Sequence, residues 1–560
     1  MSARDCGSGP SPSILIQLFI VTIGQYLEQT STMLDSSKDR YRLRIVIPAF
    51  PAFNIYSSIA NKTTALGPVC VATAVNKMPQ WDVEIIDENN LGRFGPRSDS
   101  RGADHEFLQH LRPADVVGFY GGLSSTIPRL YQIAQFYRDR GVITVAGGQH
   151  FVPDSTIPES LASGIDYIIR GEAEQAITEL LQALQTHQDV AGIKGLAYLE
   201  NGKPILTAER ELLHSFDSFP LPDFSLVRYA GIKIYPVERI RGCGMDCEFC
   251  TVKGKPRPAR PERLLNHISA LVETRNARRF FIVDDLFGQQ RDETIRLCNM
   301  LAAYQKRMRR RLDITVQIRL DKARDAELLS AMRAAGIQTV AIGFESPIDE
   351  ELKAMNKHIR SDDMVRLARV FHNFGFLVHG MFIFGYPLKE KPEVAISLKQ
   401  RVKSYRRFIN KAKIDTVQVL LPVPLPGTQL RARLSRENRI YPLQDIGWEY
   451  YDGNFPLFVP DKPLDSDEVH WSAKKIMGRF YHLKYLFLVG AKILSFPSLL
   501  FYLHNIKSGW RGWYRSWRNY LVRFGGWITL RKWTAEFRKD RFPDKLQNAK
   551  AHVAQHRQNA

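Results

Sequence analysis

Short apolar, β-branched runs alternate with amphipathic stretches through most of residues 41–440. In the first third, RLRIVIPAF (42–50), VEIIDEN (83–89), DVVGFYG (115–121) and VITVAGG (142–148) read as buried strands, with Pro128 to Arg140 as one of the helices between them. Strands alternating with helices predict a doubly wound parallel sheet over 41–195, a Rossmann-like domain whose ligands sit beyond the C-terminal strand ends. Glycines and hydroxyls gather at those ends: Gly121, Gly122, Ser124, Ser125 and Thr126 after one strand, Gly147 and Gly148 after the next. Backbone amides exposed there can approach a phosphate or a nucleotide tail closely.

A proline-punctuated linker, 196–229, containing DSFPLPDFS (217–225), leads into a second α/β block over 230–440. Strand patterns recur at RRFFIVDD (278–285), LDITVQIR (312–319), TVAIGFES (339–346), HGMFIFGYP (379–387) and DTVQVLLPVPLPGT (415–428), with helical patterns such as Asp325 to Ala335 and Asp362 to Phe374 between them. About six βα units predict a partial (β/α)6 barrel of TIM type, whose chemistry sits on loops at the C-terminal strand ends.

Residues 441–560 read as a mostly α-helical extension. Its first part, with GWEYYDGNFPLFVPDKPLDSDEV, is rich in aromatics and prolines that suit a cap over the barrel mouth. Tyr485 to Leu503 is strongly apolar but holds Lys492 and Pro497, which makes it a poor spanning helix. Trp510, Trp513, Trp517, Leu521, Phe524 and Ile528 then recur at helical spacing, with Arg511, Arg515, Arg518 and Arg523 between them, and Gly525–Gly526 is expected to break that helix.

Charge sharpens this picture. The net charge is +20, and Trp471 to Ala560 holds 18 Lys plus Arg against three acids, Glu536, Asp540 and Asp544, a local net of +15. Six of the eight tryptophans fall in the same tail. Aromatics on one face and arginines on the other suit a helix lying at an anionic lipid surface. A plain core stripe and a nucleic-acid-binding tail are the other readings of the same pattern; Trp at a water–lipid boundary fits the composition better, so no nucleic acid is expected. At the other end, the apolar run Ile14 to Ile23 is too short to span a bilayer and lacks an A-x-A-like cleavage site. Residues 1–40 therefore read as a loose extension or a misplaced start.

The candidate chemistry lies in RGCGMDCEFC (241–250). Cys243, Cys247 and Cys250 are spaced C-x3-C-x2-C, with no fourth cysteine or histidine nearby. Three thiolates can hold three irons of a [4Fe–4S] cube and leave the fourth with an open position. A structural zinc site, the alternative, needs four closed ligands. Cys6, Cys70 and Cys298 are isolated, too scattered for a disulfide framework, and a redox-labile cluster would belong in a reducing cytoplasm.

With Phe249 before its last cysteine, this segment resembles the radical S-adenosylmethionine (SAM) superfamily. The resemblance implies that the open iron binds SAM and that one electron, from a donor such as flavodoxin or ferredoxin, cleaves it to a 5′-deoxyadenosyl radical. It also implies SAM contacts from Phe249, Asp284, Asp285, Glu345, Ser346 and Gly385, the last within Gly380–Pro387, and a sixth-strand motif at PLPGT (424–428). The first block resembles the cobalamin (B12)-binding domain that precedes many radical SAM cores, through LGPVCVATAV (66–75), AGGQHF (146–151) and DYIIRGEAE (166–174). That implies cobalamin contacts from Gly121, Ser124, Ser125, Thr126, Gly147, Gly148, His150 and Glu172. The family motif D-x-H-x-x-G is missing, so no histidine lower ligand of that kind is expected; Tyr120 and His150 are candidates to approach the corrin. A Rossmann-like domain that binds nothing is the alternative.

Together these readings describe a cobalamin-dependent radical SAM methyltransferase, peripheral at the inner face of the cytoplasmic membrane. Its substrate would be a lipophilic small molecule such as an isoprenoid, a fatty chain or a tetrapyrrole. Non-methylating oxidative cyclisation or rearrangement is one alternative, and a B12- or SAM-binding sensor without turnover is another. No general base is assigned, and hydrogen abstraction by a radical requires none.

Overall fold

The computed structural model describes residues 34–35, 37–92, 94–98, 102–390, 396–495 and 507–559. The extension read over 1–40 lies almost wholly outside the described residues.

The first sheet has eight strands: β1 (Tyr41–Ile47), β2 (Trp81–Asp87), β3 (Val116–Tyr120), β4 (Ile143–Gly147), β5 (Tyr167–Ile169), β6 (Leu196–Glu200), β7 (Lys203–Leu206) and β8 (Val227–Arg228). Their spatial order is β7-β6-β5-β4-β3-β1-β2-β8. All pairings are parallel except β5–β6 and β6–β7. Helices α1 (Leu66–Val75), α2 (Ile127–Arg138) and α3 (Ala173–Gln185) flank it. The parallel strands β1 to β5 are almost wholly buried because both faces are covered, as parallel sheets require. The stretch expected as a linker, 196–229, instead extends this sheet at both edges. Thr207 explains part of it: its hydroxyl donates to the Ile193 carbonyl and accepts from the Leu196 amide, both at under 3 Å, and so pins the β6–β7 hairpin. That is tertiary bonding with no apolar periodicity to announce it.

The second sheet is all parallel, in the order β16-β15-β14-β13-β12-β9. Its strands are β9 (Tyr235–Val237), β12 (Arg279–Phe287), β13 (Asp313–Ile318), β14 (Ile337–Glu345), β15 (Leu377–Ile383) and β16 (Thr416–Leu420), and a two-stranded ribbon of β10 (Ile240–Arg241) and β11 (Arg257–Pro258) brackets the cysteines. Helices α4 (Pro261–Arg275), α5 (Arg291–Arg307), α6 (Ala326–Ala334), α7 (Ser361–Asn373), α8 (Leu398–Lys411) and α9 (Gln429–Arg436) accompany it. Along β13 and β15 buried and half-buried residues alternate strictly. One face packs on helices and the other lines the lumen, which makes this the partial barrel.

The C-terminal part folds as α10 (Ser466–Phe480), α11 (Lys484–Leu494), α12 (Lys507–Lys539) and α13 (Phe542–Asn559). The expected break at Gly525–Gly526 does not occur, since α12 runs through it. Gly526 is there to admit a neighbour: a Cβ on it would stand 2.4 Å from Cδ1 of Tyr481. The expected stripe is divided: Leu521 and Ile528 are exposed, while its described aromatics are half-buried against the protein. Trp533 is buried, Trp513, Trp517 and Trp527 are half-buried, and Trp513 Nε1 donates to the Lys492 carbonyl at 3.2 Å. Arg523 is likewise turned inward, donating to the Ile414 carbonyl (2.9 Å) and the Tyr485 hydroxyl (3.0 Å). The side chains of Trp510, Arg511 and Arg515 lie outside the described residues. Among the described residues no helix is long and apolar enough to cross a membrane.

Candidate functional site

The loop between β10 and β11 carries the three cysteines to the C-terminal mouth of the barrel. Gly242 makes its first turn: it has φ +87°, and a Cβ would meet the Lys255 carbonyl oxygen at 2.6 Å. Its amide donates to Asp285 Oδ2 at 2.7 Å, which ties the loop to the end of β12. Cys243, Cys247 and Cys250 line one cavity of about 1720 Å³, together with Phe249, Asp285, Gln317, Arg319, Glu345 and Lys357. Burial pushes the Cys247 and Cys250 thiols up, against the pull of nearby Lys357 and Lys253. Among the described residues no three His, Cys, Asp or Glu side chains close on a single ion. Three cysteines around one cavity supply the three thiolates that a [4Fe–4S] cluster with one open iron requires.

Of the expected SAM residues, Phe249, Asp285 and Glu345 line the cavity. Phe249 meets Tyr386 edge-on at 6.2 Å. Glu345 sits at the end of β14 with φ +60° and pairs with Lys357 Nζ at 2.9 Å. A non-glycine residue held there is strained backbone of the kind that collects at functional sites. Asp284, Ser346 and Gly385 fall outside the cavity. Strand alternation turns Asp284 into the core, where its Oδ1 accepts from the amides of Arg239 (2.6 Å) and Ile240 (2.9 Å). Burial pushes its pKa up to about 7. Ser346 is fully buried and donates to Glu351 while accepting from Tyr405 at 3.1 Å, and Gly385, at φ +75°, adjoins Leu464.

A second, smaller space opens at the C-terminal ends of β1, β3, β4 and β5, between α1 and α3. This slot holds about 260 Å³ and is lined by Gly67, Tyr120, Gly147, Gly148, Glu172, Glu174 and Arg241, among others. Its size fits a nucleoside-sized limb of a cofactor rather than a whole macrocycle, since sites for complete drug-sized ligands run from about 300 to 1,000 Å³. Of the expected cobalamin residues, Gly147, Gly148 and Glu172 line it, as does Tyr120. Gly121, Ser124, Ser125, Thr126 and His150 do not. A Cβ on Gly121 would strike the Phe151 ring at 2.2 Å, so this glycine serves packing. The hydroxyl segment turns away to meet the Trp448–Tyr450 turn of the cap. His150 is buried with its Nδ1 3.0 Å from Ser124 Oγ and its ring edge-on to Trp448 at 4.8 Å. Burial drives its pKa down to about 4, so it is a neutral imidazole.

Arg241 lines the slot and lies two residues before Cys243 of the cavity. Its guanidinium lies 2.7 Å from Glu174, 2.7 Å from Glu238 and 3.4 Å from Glu172. Arg257, on β11, completes the set with a 2.6 Å pair to Glu172. Neither arginine stands out in the sequence, and neither does Lys357. Glu238 is only three residues from Arg241, but the partners that give these residues their roles, Glu172 and Glu174 for the two arginines and Glu345 for Lys357, come from other segments. The same holds for Tyr56, which reaches from the first domain to hydrogen-bond Gln418 of β16. Gln418 stands opposite Met381, a residue of the cavity wall.

Comparison with known proteins gives these features a context. Residues 237–396 match the model of the radical SAM superfamily. An uncharacterized methyltransferase of Pyrococcus horikoshii is 28% identical over 431 residues, covering 74% of this chain and 87% of that one. The hopanoid C-2 methylase of Rhodopseudomonas palustris is 26% identical over 366 residues, covering 64% of this chain and 62% of its own. Among solved structures, the radical SAM methyltransferase TsrM of Kitasatospora setae, with cobalamin and a [4Fe–4S] cluster bound, superposes with a TM-score of 0.57. It is 18% identical over 71% of this chain and 78% of that one, a likeness of fold.

Proposed function

From the premise that residues 237–396 of this chain are a radical SAM domain, we propose that the protein is a cobalamin-dependent methyltransferase acting on an unactivated carbon of a lipophilic substrate. The observation that carries this reading is the adjacency of two sites. Arg241, which lines the slot at the ends of the doubly wound sheet, stands two residues ahead of Cys243, the first of the three cysteines that line the cavity at the barrel mouth. The methyltransferase relatives and the methylated lipid named in one of them support the reaction and the substrate class.

When bound, a [4Fe–4S] cluster with SAM supplies a deoxyadenosyl radical, and cobalamin supplies a methyl group. The chain's own residues hold and orient. Cys243, Cys247 and Cys250 provide the three ligands. Asp285 and Glu345 offer carboxylates to the ammonium and hydroxyl groups of SAM, with Lys357 steadying Glu345. Gly147, Gly148 and Glu172 receive a limb of the corrinoid in the slot. His150, walled in by Trp448, is not positioned to join them. Phe249 and the aromatic cap keep water from the barrel mouth, where a radical must be shielded. Flavodoxin or ferredoxin is the class of electron donor, and the lipophilic substrate places the protein at a membrane surface.

The test is anaerobic incubation of reconstituted protein with SAM, hydroxocobalamin, a reductant and a lipid extract. Deoxyadenosine and S-adenosylhomocysteine in equal amounts, with a product one CH2 heavier than its precursor, are expected. Deoxyadenosine without S-adenosylhomocysteine would replace methyl transfer by oxidative cyclisation or rearrangement. Neither product would leave a binding protein without turnover.

A further inference from the structure

Helix α11 is buried along one seam only. Tyr485 and Val489, four residues apart, pack toward α12, where Tyr485 stacks on Tyr520 at 5.9 Å. Every other large apolar side chain of this segment faces outward. Phe487 is 70% exposed and Leu494 81%, and Leu483, Leu486, Leu488 and Ile493 are exposed beside them. Six large apolar groups on little more than three helical turns form a contiguous patch of a kind that soluble surfaces avoid and interaction surfaces show.

Charge selects what covers the patch. Between Trp471 and Ala535 the chain has twelve Lys and Arg and no acidic residue. Lys484 stands exposed at the start of α11, and Lys492 is half-buried near its end. An exposed apolar strip on a segment rich in Lys and Arg, with Lys484 exposed beside it, suits the acyl boundary and headgroups of an anionic bilayer. A second copy of the same basic surface would be repelled. The α12 stripe, which the sequence offers for this role, has its described aromatics half-buried against the protein and exposes only Leu521 and Ile528 among its described residues.

We propose that the outward face of α11 docks the protein on an anionic membrane surface, with Phe487, Ile493 and Leu494 entering the acyl boundary and Lys484 meeting the headgroups. This deepens the membrane-surface reading above and rests on it only for the origin of the substrate, because docking and radical chemistry have separate readouts.

The experiment is co-sedimentation of the full-length, anaerobically reconstituted protein with vesicles. One set is phosphatidylcholine alone, the other contains about one third phosphatidylglycerol. Binding to the anionic vesicles is expected, weakened by salt and at least about tenfold weaker in the double variant Phe487→Ser/Ile493→Ser. Circular dichroism and iron content of the variant, unchanged from the parent, would show that it folds. Equal binding by the double variant would overturn the proposal and return the role to another surface. So would absence of binding to anionic vesicles, or a dimer in light scattering that the same substitutions dissolve. Deoxyadenosine formation without vesicles reads the chemistry independently, so either proposal can fail alone.

Discussion

Arg241 and Glu174 form a 2.7 Å ion pair at the floor of the slot, two residues ahead of the first cluster cysteine. Burial alone would favour loss of the arginine's proton, but Glu238 and Glu174 outweigh it and push its pKa upward. The guanidinium therefore fastens the cysteine loop to a helix of the first domain. Arg241→Ala leaves Glu174 and Glu238 facing each other without a cation, a loss of about 3–5 kcal/mol in a largely buried network. We expect a lower denaturation midpoint and poor iron retention after reconstitution, with Arg241→Lys recovering part of both. Wild-type iron content in the alanine variant would refute this.

Each of Cys243→Ala, Cys247→Ala and Cys250→Ala should abolish the visible absorption of the iron–sulfur cluster and deoxyadenosine formation. Cys70→Ala and Cys298→Ala should retain both, because Cys70 lies in the slot and Cys298 is buried under the barrel on α5. Iron and sulfide analysis with the absorption spectrum checks all five.

Asp284 carries a pH signature. Its pKa is about 7 in the fold, against an ordinary carboxylate value of 3.8, and burial is the cause. Between those values the folded state holds a proton that the unfolded state has lost. Its contribution is thus fully present at low pH and drains away as pH rises through about 7. Asp284→Asn keeps the acceptor for the Arg239 and Ile240 amides without the charge. The variant should gain on the parent by up to about 4 kcal/mol from the bottom of that window to its top. Urea midpoints at several pH values decide it, and a constant difference between the two proteins would exclude the effect.

Adjacent glycines in α12 should respond with opposite signs. Nothing lies within 4 Å of a Cβ on Gly525, so Gly525→Ala should stabilise by about 0.5–1 kcal/mol through helix propensity. On Gly526 the methyl would meet a Tyr481 ring that cannot retreat, because its hydroxyl donates to the Val417 carbonyl (2.8 Å) and accepts from the Val417 amide (2.7 Å). Gly526→Ala should therefore destabilise by about 1–3 kcal/mol despite the better propensity. Thermal melts of the two variants give the comparison.

The same pair of glycines marks where reading the chain stops. Periodicity placed strands such as Tyr41–Ile47 and Ile143–Gly147 within a few residues, and the C-x3-C-x2-C spacing identified the loop that lines the cavity. Periodicity is a local property, and these features are local. Gly525–Gly526 looks like a helix break because a distant tyrosine is invisible from that segment. Asp284 and Asp285 look equivalent until strand alternation sends one into the core. Ser124, Ser125, Thr126 and His150 sit just past the right strands, but the cap's Trp448 claims that corner. Arg241 and Lys357 acquire meaning only through Glu174 and Glu345, each brought in by the fold.

The join between the two sheets sets a mechanical limit. Strand β8 ends at Arg228 and β9 begins at Tyr235, leaving six residues. Two of these, Lys233 and Ile234, donate their amides to the Lys62 carbonyl at 2.8 and 2.9 Å. A tether this short, stitched to the domain it leaves, has no slack for a hinge. The protein is then less a pair of jaws than a gauge block: the separation of slot and cysteine cavity is a built-in dimension. A substrate would be selected by whether its reactive carbon reaches that fixed gap. Enzymes of this build would change substrate by reshaping the walls, with the distance between their two halves left alone.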